Sequence, residues 1–214
     1  MNIINQNYYL NKKSNELIIL YNSLLEKYGL QGWWPINSKY YPGDYSRPKN
    51  KLEKFEICIG AILTQNTSWK NVLLALKNLR DKGLLDPYNL NIATEKRISE
   101  LIKPAGYYNQ KSKKLKEFTW FFLSLGDDIP TRKELLEIWG IGPETADSIL
   151  LYAFHQPEFV VDTYTKRLLV NESLIKGTES YDEIKNIFHD KIPQDYKTYN
   201  EYHALIVEWG KNNK

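Results

Sequence analysis

Apolar residues recur along most of this chain at three- and four-residue spacing, the mark of helices with one buried face. Leu17, Ile18, Leu20, Tyr21, Leu24, Leu25 and Tyr28 predict a helix over 15–28, stopped by Gly29 and Gly32. Trp33-Trp34-Pro35 opens a stretch without periodicity that reaches Asn50, long for a connection inside a compact domain. From Leu52 the pattern resumes with Phe55, Ile57, Cys58, Ala61 and Ile62, then breaks at the polar junction Thr64-Gln65-Asn66-Thr67. Ser68 reads as the cap of a helix carrying Val72, Leu73, Leu76 and Leu79 and ended by Gly83, and Asp86-Pro87 as a turn. Thr94 starts a helix that runs to Lys103, where Pro104 and Gly106 close it. The loop 106–110 precedes a helix over 111–125, basic in its first turns and aromatic later.

Thr131-x-x-Glu134 fits a capping box, in which a Thr oxygen and a Glu carboxylate satisfy each other's helix-terminal N–H groups. The short helix it opens turns through Gly140-Ile141-Gly142 into a second one, and an extended Phe159-Val160-Val161 run follows and delivers Asp162. Three further helices are expected over 163–170, 180–190 and 197–211. Only 158–161 shows any strand alternation, so the fold class is all-α.

Composition narrows the classes. At 214 residues with 42% hydrophobic content, the chain can bury a core as one large domain or two small ones. A net charge of +3 places any nucleic-acid surface in local patches. The single cysteine, Cys58, lies in an apolar run and reads as a small buried hydrophobe; it excludes an internal disulfide and a four-cysteine cluster or zinc site. His155, His189 and His203 have no metal-site spacing. No signal-peptide core or run of about 18 apolar residues occurs, which predicts an intracellular protein with no membrane partner.

The hairpin carries the strongest local signal. In Leu136-x-x-x-Gly140-Ile141-Gly142-x-x-Thr145-Ala146-x-x-Ile149 the glycines permit a tight turn and close approach of an anion such as a DNA phosphate to helix N–H groups, while Ile141 plugs the space between the helices. The bland alternative is an ordinary helix–turn–helix corner. Asp162, set at the end of an apolar run, is a candidate for chemistry; its bland alternative is the cap of the helix starting at Thr163. The apolar run would raise its pKa by desolvation, while the helix N-terminus would hold it ionised.

Residues 135–167 resemble the helix–hairpin–helix and Gly/Pro-Asp signature of the endonuclease III superfamily of DNA base-excision glycosylases. Gly60-Ala61-Ile62-Leu63-Thr64-Gln65-Asn66-Thr67 resembles the family's segment with a glutamine that fills the gap left by a flipped base, and Gly106-Tyr107-Tyr108-Asn109-x-Lys111 its wedge loop. The Trp33-Trp34-Pro35 segment, the short length and the lack of cysteines look most like the small cluster-free 3-methyladenine DNA glycosylases.

The resemblance implies that Asp162 is the catalytic carboxylate. Trp33, Trp34, Pro35, Trp69 and Lys211 would line the base pocket, where aromatic faces attract a cationic 3-methylated purine. Gln65, Asn66, Tyr107, Asn109, Lys111, Gly140, Gly142, Glu144 and Thr145 would meet DNA. Lys111, Lys113, Lys114 and Lys116 read as a solvated basic face, near enough to the wedge loop for one or two phosphate contacts. Relatives hold a sodium or potassium ion at hairpin carbonyls, here Ile138 and Gly140. A modified lysine described in the C-terminal helix of similar enzymes matches Leu205. Glu144 stands where bifunctional members carry a Schiff-base lysine, and a carboxylate forms no imine, so a monofunctional enzyme is expected.

The expectation is therefore two all-α lobes with a DNA-binding cleft between them: 52–157 with the hairpin, glutamine and wedge loops, and 1–51 with 158–214 built from both chain ends. The expected partner is double-stranded DNA containing a damaged base, bound by a cytoplasmic, nucleoid-associated monomer without an iron–sulfur cluster or other cofactor. The alternatives are a glycosylase for mispaired adenine, hypoxanthine or an oxidised base, with or without AP lyase activity, and a non-catalytic helix–hairpin–helix DNA-binding module.

Overall fold

A computed structural model describes the backbone of residues 3–213 and the side chains of residues 16–213. Its helices are α1 (Ile3–Tyr28), α2 (Lys51–Leu63), α3 (Trp69–Asp81), α4 (Pro87–Ile92), α5 (Glu95–Leu101), α6 (Tyr108–Ser124), α7 (Arg132–Glu137), α8 (Pro143–Ser148), α9 (Thr163–Asn171), α10 (Tyr181–Lys191) and α11 (Tyr196–Asn212). A π-helical turn, Ile149–Ala153, continues α8. Among the described residues no strand forms beyond an isolated Ile36–Lys39 bridge, so the chain is all-α. The 158–161 run forms no strand, and Glu158 N donates to Gln156 O at 2.8 Å. Phe159 N donates to His189 Nε2 at 3.2 Å and Val161 N to the Tyr181 hydroxyl at 3.4 Å, side chains serving where a neighbouring strand would.

Several boundaries differ from the sequence reading. α4 forms where a turn was expected, because Asp86 caps it (Asn89 N to Oδ1, 3.0 Å) and Pro87 at its first position has its φ preset for helix. Ser68 precedes α3 without a side-chain cap bond; its carbonyl accepts from Asn71 and Val72 instead. The helix expected over 111–125 starts at Tyr108, so Asn109 and Gln110 are helical. The predicted capping box of Thr131 and Glu134 is formed.

The residues divide into two compact units. One comprises Trp34–Lys39 and Ser46–Phe154, the other Met1–Trp33, Tyr40–Tyr45 and His155–Lys214. In the first, α2 is the core helix: every residue from Phe55 to Leu63 is buried, Cys58 among them. A helix apolar on all sides needs neighbours on all sides, and α3, α6, α8 and the π-turn supply them. The one acid in this run, Glu56, is paired with Arg80 at 2.6 Å and accepts from Asn37 N at 2.7 Å.

In the second unit α11 takes the central place, packed by α1 and α9, with Tyr199 to Val207 buried. Burial raises the phenols of Tyr199 and Tyr202 above their ordinary value. An acid whose folded pKa is raised stabilises the fold below its unfolded pKa, about 10 for tyrosine, and that contribution is lost as pH rises further. Between pH 10 and 11 the loss is about 1 kcal/mol per tyrosine, so the two together should lower Tm by roughly 4–8 °C over that interval. Melting curves with tyrosinate absorbance would show ionisation coinciding with unfolding; free titration of all tyrosines in the folded protein would contradict it.

No helix among the described residues is long and apolar enough to cross a membrane.

Candidate active site and DNA-contact loops

The hairpin joins α7 to α8. Gly140 has φ +82, a backbone that favours glycine, and a Cβ there would lie 2.4 Å from Lys114 Cε and displace that side chain. Gly142, the residue before α8, is extended, and no atom lies within 4 Å of where its Cβ would sit, which leaves open approach to the first turn. The amides of Glu144 and Thr145 precede the first helical bond, from Ala146 N to Gly142 O. Ile141 is buried between the helices as expected. Behind the turn, Arg132 of α7 grips the fully buried Asp147 of α8 with Nε–Oδ1 at 2.8 Å and Nη2–Oδ2 at 3.3 Å. A bidentate pair of this kind fixes the angle between two helices. Neither residue stands out in the sequence.

Gln65 is tied to this hairpin. Its Nε2 donates to Gly140 O at 3.1 Å and Thr145 Oγ1 at 3.0 Å, and Lys114 Nζ donates to its Oε1 at 2.6 Å. Asn66 beside it is exposed with φ +52. Tyr107 is 66% exposed in a left-handed conformation, with Asn109 exposed in the following turn. Of the two carbonyls named for a cation, Ile138 O accepts from Ile141 N and Gly140 O from Gln65. Glu144 is exposed in the first turn of α8, whereas Thr145 is buried.

Lys111 corrects the expectation of a solvated basic face. It is 2% exposed, and its ammonium donates to Leu63 O and Ala105 O, both at 2.8 Å. Burial, helped by the nearby Lys114 charge, pulls its pKa down to about 8. Lys111 therefore joins the end of α2, just before Thr64-Gln65, to the turn preceding Tyr107, and is withdrawn from phosphate contact. Lys114 is likewise committed to Gln65, and Lys116 donates to the carbonyls of Asn91 and Ala93.

Asp162 ends the extended run and caps α9. Its Oδ1 accepts from Thr165 N at 2.7 Å and Thr165 Oγ1 at 2.9 Å. The capping alternative is thus realised, yet it uses one oxygen. The other, Oδ2, lies 3.7 Å from His203 Nε2, and the side chain keeps 15% exposure. Burial works to raise the carboxyl; the His203 imidazole and the Thr165 donors outweigh it and hold the group below its ordinary value. In the sequence His203 is one of three scattered histidines. Its signal was a polar residue inside the apolar stretch Tyr202-His203-Ala204-Leu205-Ile206-Val207 of α11.

The aromatic candidates fall into two sets. In the unit with the hairpin, Trp34 is buried at 8% exposure, its ring edge-on to Trp69 (5.2 Å) and Tyr152 (5.1 Å), with Pro35 buried beside it. The Trp34 position is thus a core position. In the unit with Asp162, Trp33 is half-buried, edge-on to Tyr40 at 5.9 Å, with the Lys211 ammonium 5.5 Å above its ring. Leu205 is fully buried.

A tight glycine hairpin is followed by a half-buried aspartate at a helix start, and residues 59–194 match the model of the HhH-GPD superfamily of base excision DNA repair proteins. The chain belongs to that superfamily and is a DNA glycosylase. Among its relatives, the Methanocaldococcus jannaschii protein named "Putative DNA repair glycosylase" is 45% identical over 200 residues, 88% of this chain and 84% of that protein. Endonuclease III of Sulfolobus acidocaldarius is 28% identical over 201 residues, covering 91% and 86%. The 3-methyladenine DNA glycosylase MagIII of H. pylori, solved with 1,N6-ethenoadenine bound, superposes with a TM-score of 0.73 at 27% identity over 96% of this chain and 98% of that one. An endonuclease III trapped as a covalent DNA intermediate shares the fold at 17% identity, with a TM-score of 0.75.

Proposed function

We propose that this glycosylase is monofunctional, extrudes an alkylated purine such as 3-methyladenine from duplex DNA and hydrolyses its N-glycosidic bond with Asp162. The observation that carries this reading is an aspartate held ionised although nearly buried, with one oxygen spent on a cap and the other left over. The C1′–N bond breaks with its electron pair leaving on the base, positive charge develops on the sugar, and the Asp162 carboxylate stabilises it. Water then adds its oxygen to C1′ and gives up its proton to the Asp162 carboxylate, leaving an abasic site. The α7–α8 hairpin grips backbone phosphate, while Gln65, Asn66 and Tyr107 take the space of the extruded nucleotide, which offsets a few kcal/mol of unstacking. For Gln65 this means exchanging its bonds to Gly140 and Thr145 for bonds to the orphaned base.

Trp33 supports a cationic base as ligand: its ring already attracts the Lys211 ammonium. Similarity to MagIII points to the same substrate. An iron–sulfur cluster does not fit this chain, whose only cysteine is fully buried in α2. Excision on a panel of single-lesion duplexes, with borohydride present in a parallel set, tests the reading. Release of 3-methyladenine without a covalent protein–DNA adduct is the expected result. Strong excision of a neutral lesion with no 3-methyladenine release would overturn the substrate choice. A trapped adduct would mean that a lysine elsewhere supplies the lyase chemistry that Glu144 lacks.

A further inference from the structure

His203 has no part in the reaction as described so far, and its place is specific. It lies on α11, 7% exposed, with Nε2 3.7 Å from Oδ2 of Asp162. The two carboxylate oxygens are thereby divided between two elements. Thr165 of α9 takes Oδ1 with its amide and hydroxyl, and the α11 imidazole faces Oδ2. We propose that His203 is a positioning residue for base excision, which keeps Oδ2 of Asp162, the oxygen the helix cap leaves over, fixed in direction and negatively charged. This rests on the reading of Asp162 as the catalytic carboxylate.

The physical need is plain. A carboxylate with little water around it reverts to the neutral acid unless opposite charge or donors compensate, and a neutral acid does nothing for a developing oxocarbenium charge. The Thr165 donors are neutral, and both bind Oδ1, so the His203 imidazole is what favours the charged form at Oδ2. Several other charged groups of this unit have partners elsewhere. Arg167 of α9 donates to the carbonyls of Gly210 and Asn213, and Glu201 of α11 accepts from Gln31 N and Tyr45. Lys185 of α10 pairs with Glu158, which also lies 3.9 Å from His189. Tyr181 accepts from Val161 N in the approach to Asp162, and Tyr202, next to His203, donates to Leu17 of α1.

The test is single-turnover excision from a lesion duplex between pH 3 and 9, comparing wild type, His203→Gln and Asp162→Asn, with Tm recorded for each. Glutamine offers a neutral donor near Nε2 without the charge; the smaller His203→Asn serves in its place if that variant does not fold. We expect the acidic limb of the His203 variant to move up by about one pH unit or more, the usual effect of losing an adjacent opposite charge. Its rate near neutrality should stay closer to wild type, with Tm changed little. A rate lowered equally at every pH, or an unmoved acidic limb, would overturn the proposal while Asp162→Asn remains inactive. Wild-type excision by Asp162→Asn would remove both the proposal and the reading beneath it, so the two failures are told apart.

Discussion

Asp162→Asn should reduce base excision by about 10²–10⁴-fold while leaving the fold intact, because the substitution separates the two tasks of this side chain. Asparagine is as good a helix cap as aspartate. Its carbonyl oxygen can take the Oδ1 position and keep the 2.7 Å bond from Thr165 N, so α9 should start in the same place. What is removed is the charge. Oδ2 becomes an amide that cannot stabilise positive charge on the sugar or draw a proton from water. A rate measured with saturating enzyme on a lesion duplex, beside a melting curve, separates the outcomes. A large rate loss with Tm within a few degrees supports the assignment. Unchanged excision would return Asp162 to the role of a cap, and loss of both rate and fold would mean that its bond to α9 is the larger contribution. DNA affinity should change little, since the groups expected to hold phosphate are on the α7–α8 hairpin.

The elements were legible because helices with one buried face repeat visibly: the reading of 163–170, 180–190 and 197–211 lies within a residue or two of α9, α10 and α11. The hairpin and Asp162 were legible for a different reason, since glycine in a tight turn and an acid ending an apolar run are unusual combinations. What failed was the reading of charged residues by type. Lys111 was grouped with its basic neighbours, yet Lys111, Leu115, Phe118 and Phe122 form one stripe at helical spacing, and all four are buried. The period held the answer, and the charge obscured it. Arg132–Asp147 and His203–Asp162 could not be read at all, because each joins residues from separate helices and leaves no spacing to find.

Adjacent residues can also be divided by the fold, and the Trp33-Trp34 pair should show it in two substitutions. Trp34→Ala is expected to cost about 3–5 kcal/mol, the usual range for removing a large buried aromatic side chain, and to lower Tm by roughly 10 °C or more. The ring is wedged between Trp69 and Tyr152, and it lies over Gly60 so closely that a Cβ there would be 3.1 Å from its Nε1. The absence of a side chain at Gly60 of α2 gives the indole room. Trp33→Ala should behave oppositely. That ring is half-buried against Tyr40 and Lys211, so its loss should change Tm by a few degrees at most while weakening excision of a cationic purine. The measurement is Tm and single-turnover rate for both variants on the same lesion duplex. If Trp34→Ala melts like wild type and loses only excision, the indole belongs to the base pocket and the core assignment is wrong. If Trp33→Ala excises at the wild-type rate, the base must be recognised by other rings, with Trp69 the next to substitute.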